Sequence, residues 1–192
     1  MPRASAADAA ETARRILDAA ATHFAEQGYA AASVDEIAQA AQVTRGAVYH
    51  HYSSKPGLFT AVAAAQQQRI AGAIVAATVE SDPRTALHDG SHAFLDAITH
   101  HATARILLVD GPAVLGGEEW RRLDAEGPEQ ELRTGLREAG VSPALLDPLT
   151  AALSGAMNEL ALWLAARPDE EDARSKAHAA LDRVLDAVAL QI

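Results

Sequence analysis

A short helix predicted for residues 45–52 carries an unusual share of side chains that can bind a partner. Arg45, Tyr49, His50 and His51 fall on its outward face. Such side chains can donate hydrogen bonds to base edges in a DNA groove or to phosphate oxygens. Because a helix this short has little reason to carry so many of them unless something lies against it, the pattern indicates a recognition surface.

A second short helix and a tight turn must position this surface. Ser33 can cap the first helix, and Glu36 three residues later completes an S-x-x-E capping box. Gln42-Val43 makes the bend, and Thr44 can cap the second helix. The inward faces consist of Val34, Ile37, Ala38 and Ala41 on the first helix and Val48 and Tyr52 on the second. The two helices predict a helix-turn-helix whose expected partner is the DNA major groove.

This segment resembles the DNA-binding half of TetR/AcrR-type transcriptional repressors, whose pattern runs T-V-x-x-I-A-x-x-A-G-V-S-x-G-x-x-Y-x-H-F-x-x-K-x-x-L. The matching residues are Ser33, Val34, Ile37, Ala38, Ala41, Val43, Thr44, Gly46, Tyr49, His51, Tyr52, Lys55 and Leu58. The preceding helix fits as well, with an apolar stripe of Ile16, Leu17, Ala20 and Phe24 and an end at Gly28-Tyr29. The resemblance covers roughly the first 60 of 192 residues.

One position in the turn departs from the family pattern. Gln42 stands where the family usually has glycine. A left-handed backbone costs a residue other than glycine about 1 kcal/mol. We therefore expect the turn at Gln42 to be reshaped or strained.

The resemblance implies a set of DNA-contacting positions in and around the two helices. They are Ser33, Thr44, Arg45, Gly46, Ala47, Tyr49, His50, His51 and Lys55. Arg45 is the only long cation in the groove-facing turn and suits a bidentate contact to guanine. Gly46 and Ala47 permit close approach, and Ala47 could touch a thymine methyl. The side chains suited to phosphate oxygens are Tyr49, His50 and Lys55.

Several of these residues have a second interpretation. Ser33 and Thr44 are accounted for by helix capping alone. Arg14 and Arg15 begin the first helix, where they could reach phosphates or be solvated surface arginines. Residues 1–56 carry five basic and six acidic residues, so the proposed DNA-binding part is nearly neutral although the whole chain has a net charge of −10. We expect weak non-specific affinity and specific binding that depends on placed contacts.

Composition indicates an all-α protein. Alanine is abundant, and no stretch shows sustained period-two alternation. The chain has no cysteine, which excludes disulfides and thiolate metal sites. No signal pattern and no run of membrane-spanning length occurs, so we expect a soluble cytoplasmic protein without a membrane partner. We divide the chain into a helix-turn-helix head, residues 1–56 with a flexible arm at 1–10, and a helical effector-binding and dimerisation body, residues 57–192.

The body divides into helices at proline and glycine signals. A fourth helix is predicted to run from Lys55-Pro56 to about residue 78, followed by a helix from Asp82-Pro83 to about residue 101. Its apolar positions are Leu87, Phe94, Leu95 and Ile98. Gly111-Pro112 is predicted to end a short apolar helix. Helix breaks are also predicted at Gly127-Pro128 and Gly140, and new helices at Ser142-Pro143 and at Pro168 with the acidic run Asp169–Asp172.

The last two predicted helices carry apolar stripes that indicate a homodimer with a four-helix-bundle interface. The predicted interface residues are Leu149, Leu153, Leu160, Leu164, Leu181, Val184 and Val188. Packing of both stripes into the core of one chain is the alternative. The resemblance favours the dimer, because two recognition helices one DNA turn apart would read a palindromic operator on double-stranded DNA.

The resemblance also implies that the body encloses a small-molecule pocket, and that a bound ligand changes the separation of the two heads. The candidate lining is Phe94, Ile98, Leu107, Leu108, Val114, Leu115, Trp120, Met157 and Trp163. Each of these could instead be core. An apolar pocket with polar groups from His92, His101 and Asn158 would suit a hydrophobic or aromatic effector.

Histidines in the body raise the question of a metal. His88 and His92 are four residues apart on one helix, and His100-His101 lies nearby, with Asp89 and Asp96 between. This spacing can hold zinc or nickel, with help from another helix. We interpret these histidines as surface or pocket-lining residues and predict no metal and no cofactor.

Motifs of enzyme sites are missing from the sequence. Neither G-x-x-x-x-G-K-[ST] nor G-x-S-x-G nor H-E-x-x-H occurs. We therefore predict no enzymatic activity. The resemblance implies a DNA-binding regulator, a homodimeric repressor that a small hydrophobic or aromatic ligand releases from its operator. An effector-independent activator or architectural DNA binder is the alternative, followed by a helical-bundle enzyme or interaction module.

Overall fold

This computed structural model describes residues 6–100 and 103–189, and all of the regular structure in those ranges is helical. The helices are α1 (Ala6–Ala31), α2 (Val34–Ala40), α3 (Arg45–Tyr52), α4 (Lys55–Thr78), α5 (Pro83–Thr99), a π-helical segment (Arg105–Asp110), α6 (Gly111–Leu115), α7 (Gly117–Ala125), α8 (Pro128–Glu138), α9 (Pro143–Ala165) and α10 (Ala173–Ala189). The all-α prediction is confirmed. None of the described helices is long and apolar enough to cross a membrane.

The head is built on α1–α3 and the first turns of α4. Its buried apolar residues include Ile16, Ala20, Phe24, Ile37, Val48, Leu58 and Phe59. The rings of Phe24, Tyr29 and Phe59 have centroids between 5.1 and 5.9 Å apart. Since Phe59 belongs to α4, the core of the head extends beyond residue 56 into a helix that continues as part of the body.

Helix α1 differs from the expected picture at its N-terminal end and agrees with it at its C-terminal end. Residues 6–10, expected as part of a flexible arm, are the exposed first turns of the helix. Residues 1–5 lie outside the described ranges. At Gly28 the backbone leaves helical geometry, with φ 79° and ψ 164°, which agrees with the predicted end at Gly28-Tyr29.

In the body, α5 packs against α4 and is covered by α8, α9 and α10. Asp82 caps α5 by accepting from the N–H groups of Arg84 and Thr85 at 3.1 and 3.3 Å. The predicted apolar positions of α5 are confirmed as buried: Leu87, Phe94, Leu95 and Ile98. The predicted helix starts at Lys55-Pro56 and Ser142-Pro143 are also confirmed.

Two predicted helix boundaries are wrong. Gly111-Pro112 does not end a helix; it opens α6, which follows directly from the π-helical segment. Proline fits there because the first residues of a helix need no N–H partner. The last helix begins at Ala173, so Asp169–Asp172 lies in turns before it.

Candidate DNA interface and junction cavity

Two side-chain caps hold the α2–α3 pair in place. The Ser33 hydroxyl accepts from the Asp35 N–H, and the Thr44 hydroxyl accepts from the Ala47 N–H, each at 3.2 Å. Glu36, expected to complete a capping box, instead accepts from the Gln27 amide of α1 at 3.4 Å. Both predicted caps are therefore present, and Glu36 links α2 to α1.

The turn between α2 and α3 is a Schellman motif with glutamine at the left-handed position. Gln42 has φ 56°. Its N–H donates to the Gln39 carbonyl at 3.0 Å, and the Val43 N–H donates to the Ala38 carbonyl at 2.9 Å. These are the two hydrogen bonds that define the motif. The turn thus keeps the geometry that usually requires glycine, and Gln42 bears the expected backbone strain.

Arg45 lies at the start of α3 with its guanidinium held by two neighbours. It donates to the Asp35 carboxylate at 2.6 Å and to the Tyr49 hydroxyl at 3.2 Å. These contacts raise the pKa of Arg45, the hydrogen bond to Tyr49 being the larger cause. The side chain is 56% exposed. Arg45 is therefore a surface cation whose orientation is fixed by neighbours within its own chain.

Gly46 follows Arg45 on the exposed end of α3. A Cβ on Gly46 would have the Thr44 hydroxyl as its nearest neighbour, at 3.8 Å. Nothing inside the head requires glycine at this position. His50 is also exposed, while Ala47, Tyr49 and His51 are half-buried.

Lys55 has a structural role that the sequence did not indicate. Its ammonium donates to the Ala30 carbonyl at 3.3 Å and lies 4.6 Å from the centre of the Tyr29 ring. These contacts tie the start of α4 to the end of α1. Arg14 and Arg15 are exposed on α1, where Arg14 pairs with Glu11 at 2.7 Å.

A cavity of about 690 Å³ lies between α1 of the head and α4, α5 and the π-helical segment of the body. Its lining is mixed. The polar residues are Asp18, Thr22, Glu26, Gln66, Arg69, His100 and Thr103, and the apolar ones are Ala21, Ala25, Ile70, Ala97 and Ile106. Arg69 donates to Asp18 at 3.2 Å and so links α4 to α1 at this cavity. We call it the junction cavity.

The residues expected to line a pocket lie elsewhere. Phe94, Ile98, Leu107 and Met157 are at most 4% exposed and belong to the core. Leu108, Val114, Leu115 and Trp163 pack against that core, and the Trp120 indole donates to the Leu107 carbonyl at 2.6 Å. Phe94 and Met157 line a void of only about 10 Å³. An effector pocket lined by these nine residues stays a prediction.

A contact between head and body at the end of α1 was missed by sequence reasoning. Arg105 donates to the carbonyls of Glu26 and Gln27 at 3.4 and 3.3 Å, and the Asp110 carboxylate accepts from the Tyr29 N–H at 2.9 Å. Arg105 covers Gly28, where a Cβ would lie 2.3 Å from the guanidinium. We call Arg105 and Asp110 the junction clamp. Both belong to the π-helical segment, a geometry that often marks functional sites.

The predicted interface residues divide into two groups. Leu153, Leu181 and Val188 are at most 9% exposed and pack inside the chain. Leu149, Leu160 and Leu164 are half-buried, and Val184 is 37% exposed. The second group, joined by the exposed Leu145 at the start of α9, is the part that could contact a second chain.

Histidines of α5 meet acidic residues of α10. His92 Nε2 lies 2.7 Å from Asp182 Oδ1, and this hydrogen bond is the main cause that lowers the pKa of Asp182. His100 lies at the junction cavity instead. Asp89 accepts from the Ser81 hydroxyl at 2.8 Å, and His101 lies outside the described residues.

Family models match both parts of the chain. Residues 16–62 match the model described as bacterial regulatory proteins, tetR family. Residues 84–188, more than half of the chain, match the model of the tetracyclin repressor-like C-terminal domain. The chain belongs to the TetR family.

Individual TetR-family relatives agree with this result. The A-factor receptor protein of Streptomyces griseus is 34% identical over 153 residues, which cover 78% of this chain and 52% of that protein. The HTH-type transcriptional regulator SrpR of Pseudomonas putida is 49% identical over 67 residues, 35% of this chain and 32% of SrpR. The chain thus spans about half or less of the length of these relatives. A crystal structure of a TetR-family transcriptional regulator from Pectobacterium atrosepticum is 29% identical with a TM-score of 0.74, covering 96% of this chain and 97% of that one.

Proposed function

We infer that this TetR-family chain is a homodimeric DNA-binding repressor that releases its operator when a small molecule binds in the body. The observation that carries the DNA-binding part is the surface of α3. Arg45 is oriented at the exposed start of this helix, next to a glycine that the head itself does not need. A helix that enters the major groove places its first residues against base edges. Close approach of the DNA backbone or bases to α3 explains why a glycine stands at position 46.

Gly46→Ala tests this proposal against a matched control. Gly72 lies in α4 with nothing within 4 Å of an added Cβ, so Gly72→Ala makes the same change away from the proposed interface. Both variants should fold at least as stably as the wild type, since alanine favours helix over glycine. We expect Gly46→Ala to lose at least tenfold in affinity for DNA flanking its own gene and Gly72→Ala to lose none. Equal affinities for the two variants would remove α3 from the interface.

We place the effector in the junction cavity. The cavity contacts α1 and α4, and the junction clamp holds the end of α1 from the same π-helical segment. A ligand that moves this segment would therefore move the head. Release requires that the ligand favours the non-binding conformation by about 1–3 kcal/mol. The mixed lining suits an amphipathic molecule, and the name of the S. griseus relative supports a ligand-receiving role.

Two substitutions distinguish the junction cavity from the pocket expected in the core. Ala97→Phe fills the junction cavity, and Met157→Leu changes the core with little change in volume. With an effector found by screening for release of DNA, Ala97→Phe should abolish release while DNA affinity stays within twofold of wild type. Loss of release in Met157→Leu alone would place the effector in the core instead.

A dimer formed through α9 and α10 would set the spacing of the two heads. Val184 is 37% exposed on α10, and Val75 is 47% exposed on α4. Val184→Glu should lower the mass seen in light scattering from two chains to one, while Val75→Glu should leave it unchanged. A dimer that persists in Val184→Glu combined with Leu149→Glu would exclude this surface. A DNA footprint that overlaps the promoter would indicate repression, and a footprint upstream of the promoter would indicate activation.

A further inference from the structure

Histidine and aspartate side chains alternate along the contact between α5 and α10. Asp182 accepts from His92 at 2.7 Å and lies 3.6 Å from His88, one turn earlier on α5. In the other direction, His178 lies 2.8 Å from Asp96, one turn later on α5. The two helices therefore run antiparallel here, and every member of the row has a partner on the opposite helix.

Three of these side chains bring ligand atoms to one point. One atom each from His88, His92 and Asp182 lies within 4.8 Å of the other two. Tetrahedral coordination at about 2.0–2.1 Å places ligand atoms about 3.3 Å apart, so small side-chain rotations suffice. All three residues are half-buried, at 32%, 29% and 46% exposure, which leaves an ion a path from solvent.

Hydrogen-bond counting along the row leaves one place for a third proton or for another cation. The contacts Asp182–His92, His92–His178 and His178–Asp96 each join two ring or carboxylate atoms at 2.5–2.8 Å. Each contact needs a proton, but two neutral imidazoles carry only two. A third proton on one of the imidazoles completes the row, and so does a metal cation between His92 Nε2 and Asp182. His92 then donates from Nδ1 to His178, and His178 donates from Nε2 to Asp96.

This arrangement is the one that orients a metal-bound histidine. Ligand histidines almost always donate their other ring N–H to a partner that fixes the ring. His178 is that partner for His92, and Asp96 fixes His178 while pairing with Arg174 at 2.8 Å. His178 and Asp96 are thus positioning residues rather than ligands.

We propose that His88, His92 and Asp182 form a site for a divalent transition-metal ion that joins α5 to α10. Imidazole ligands favour zinc, nickel and copper over magnesium and calcium. Three protein ligands leave the fourth position for water or a ligand from solution. The site is far in sequence from the helix-turn-helix and does not depend on the proposed function.

Zinc titration of the full chain without an affinity tag tests the site. We expect one zinc per chain, no binding of magnesium under the same conditions, and a higher melting temperature with zinc. Asp182→Asn and His92→Gln should each weaken zinc at least tenfold. His178→Gln should weaken it while the visible spectrum of bound cobalt remains tetrahedral.

The control is the double variant His50→Ala with His51→Ala, which removes the two adjacent histidines of α3. It should bind zinc as the wild type does. Asp182→Asn keeps the shape of a half-exposed side chain, so it gives an answer even if a histidine variant fails to fold. The proposal is overturned if zinc does not bind at one per chain, if Asp182→Asn binds like the wild type, or if only the α3 variant loses binding.

Discussion

An ion pair of the recognition helices and one carboxylate of the body lie in opposite environments. Asp35 and Arg45 pair at the surface, 63% and 56% exposed. Asp124 of α7 is 6% exposed, and the Gln67 amide donates to it at 3.2 Å. Burial, with a smaller effect of Glu129, raises the pKa of Asp124 from 3.8 to about 6.

Burial of Asp124 costs the body electrostatic free energy. The cost in the head lies instead in the backbone, at Gln42 with φ 56°. A surface proposed to meet DNA keeps its charges hydrated, and the cost found in the head is conformational. The body can hide a carboxylate because that group needs no partner outside the chain, and its cost is electrostatic. Asp124→Asn and Gln42→Gly remove these two costs, and substitutions at Arg45 and Asp35 test the exposed charges of the head.

Asp124→Asn should have the largest effect on stability. Because the folded chain keeps Asp124 protonated up to about pH 6, the contribution of Asp124 to the free energy of unfolding falls as pH rises from about 4 to about 6 and stays lower above. The variant lacks this loss and should be up to about 3 kcal/mol more stable at pH 7. Urea unfolding of wild type and variant at pH 4.5 and 7.5 measures both the pH dependence and the difference in stability. An equal pH dependence in wild type and variant would show that Asp124 titrates normally.

Arg45→Ala should cost about 1–3 kcal/mol of binding free energy and relax specificity at one base pair per half-site. Titrating the variant against a panel of single-base operator changes measures this. If affinity fell equally for every sequence, Arg45 would be a phosphate contact. Stability should change little, since the pair with Asp35 is exposed.

Gln42→Gly should stabilise the head by about 1 kcal/mol, because it relieves the left-handed conformation. Gln39→Gly is the matched control, at an exposed position of α2 with a helical backbone, and should destabilise by about 1 kcal/mol. Thermal and urea unfolding compare the two. If both variants changed the free energy of unfolding in the same direction, backbone strain would not be the cost in the head.

Asp35→Asn should have the smallest effect, a gain in operator affinity of about 0.2–1 kcal/mol. It removes a negative charge beside Arg45 while an oxygen acceptor remains. Glu36→Gln, which removes the neighbouring charge without touching Arg45, should give a smaller gain in operator affinity. A loss of affinity in Asp35→Asn would show that the carboxylate is needed to orient Arg45.

Several features formed by residues close in sequence could be predicted, whereas contacts between distant parts of the chain could not. The caps at Ser33 and Thr44 and the left-handed Gln42 depend on bonds that span a few residues. The junction clamp joins Arg105 to Gln27, 78 positions away. A single sequence contains no periodic signal for such a pair.

Periodicity also leaves open which neighbour an apolar stripe meets. Leu153 and Leu181 fit a dimer stripe by spacing, but they pack inside their own chain. The acidic run Asp169–Asp172 suits a first helical turn and a solvated turn equally well. The His92–Asp182 contact joins residues 90 positions apart, so the histidine spacing on α5 showed only half of that site.

Footprinting on the DNA that flanks its own gene tests most directly whether this chain is a dimeric reader of DNA. We predict two protected half-sites related by inverted repeat, with centres about 10 base pairs or a multiple apart. Protection should disappear with Gly46→Ala and persist with Gly72→Ala. Protection of a single half-site, or an unchanged footprint with Gly46→Ala, would contradict the account.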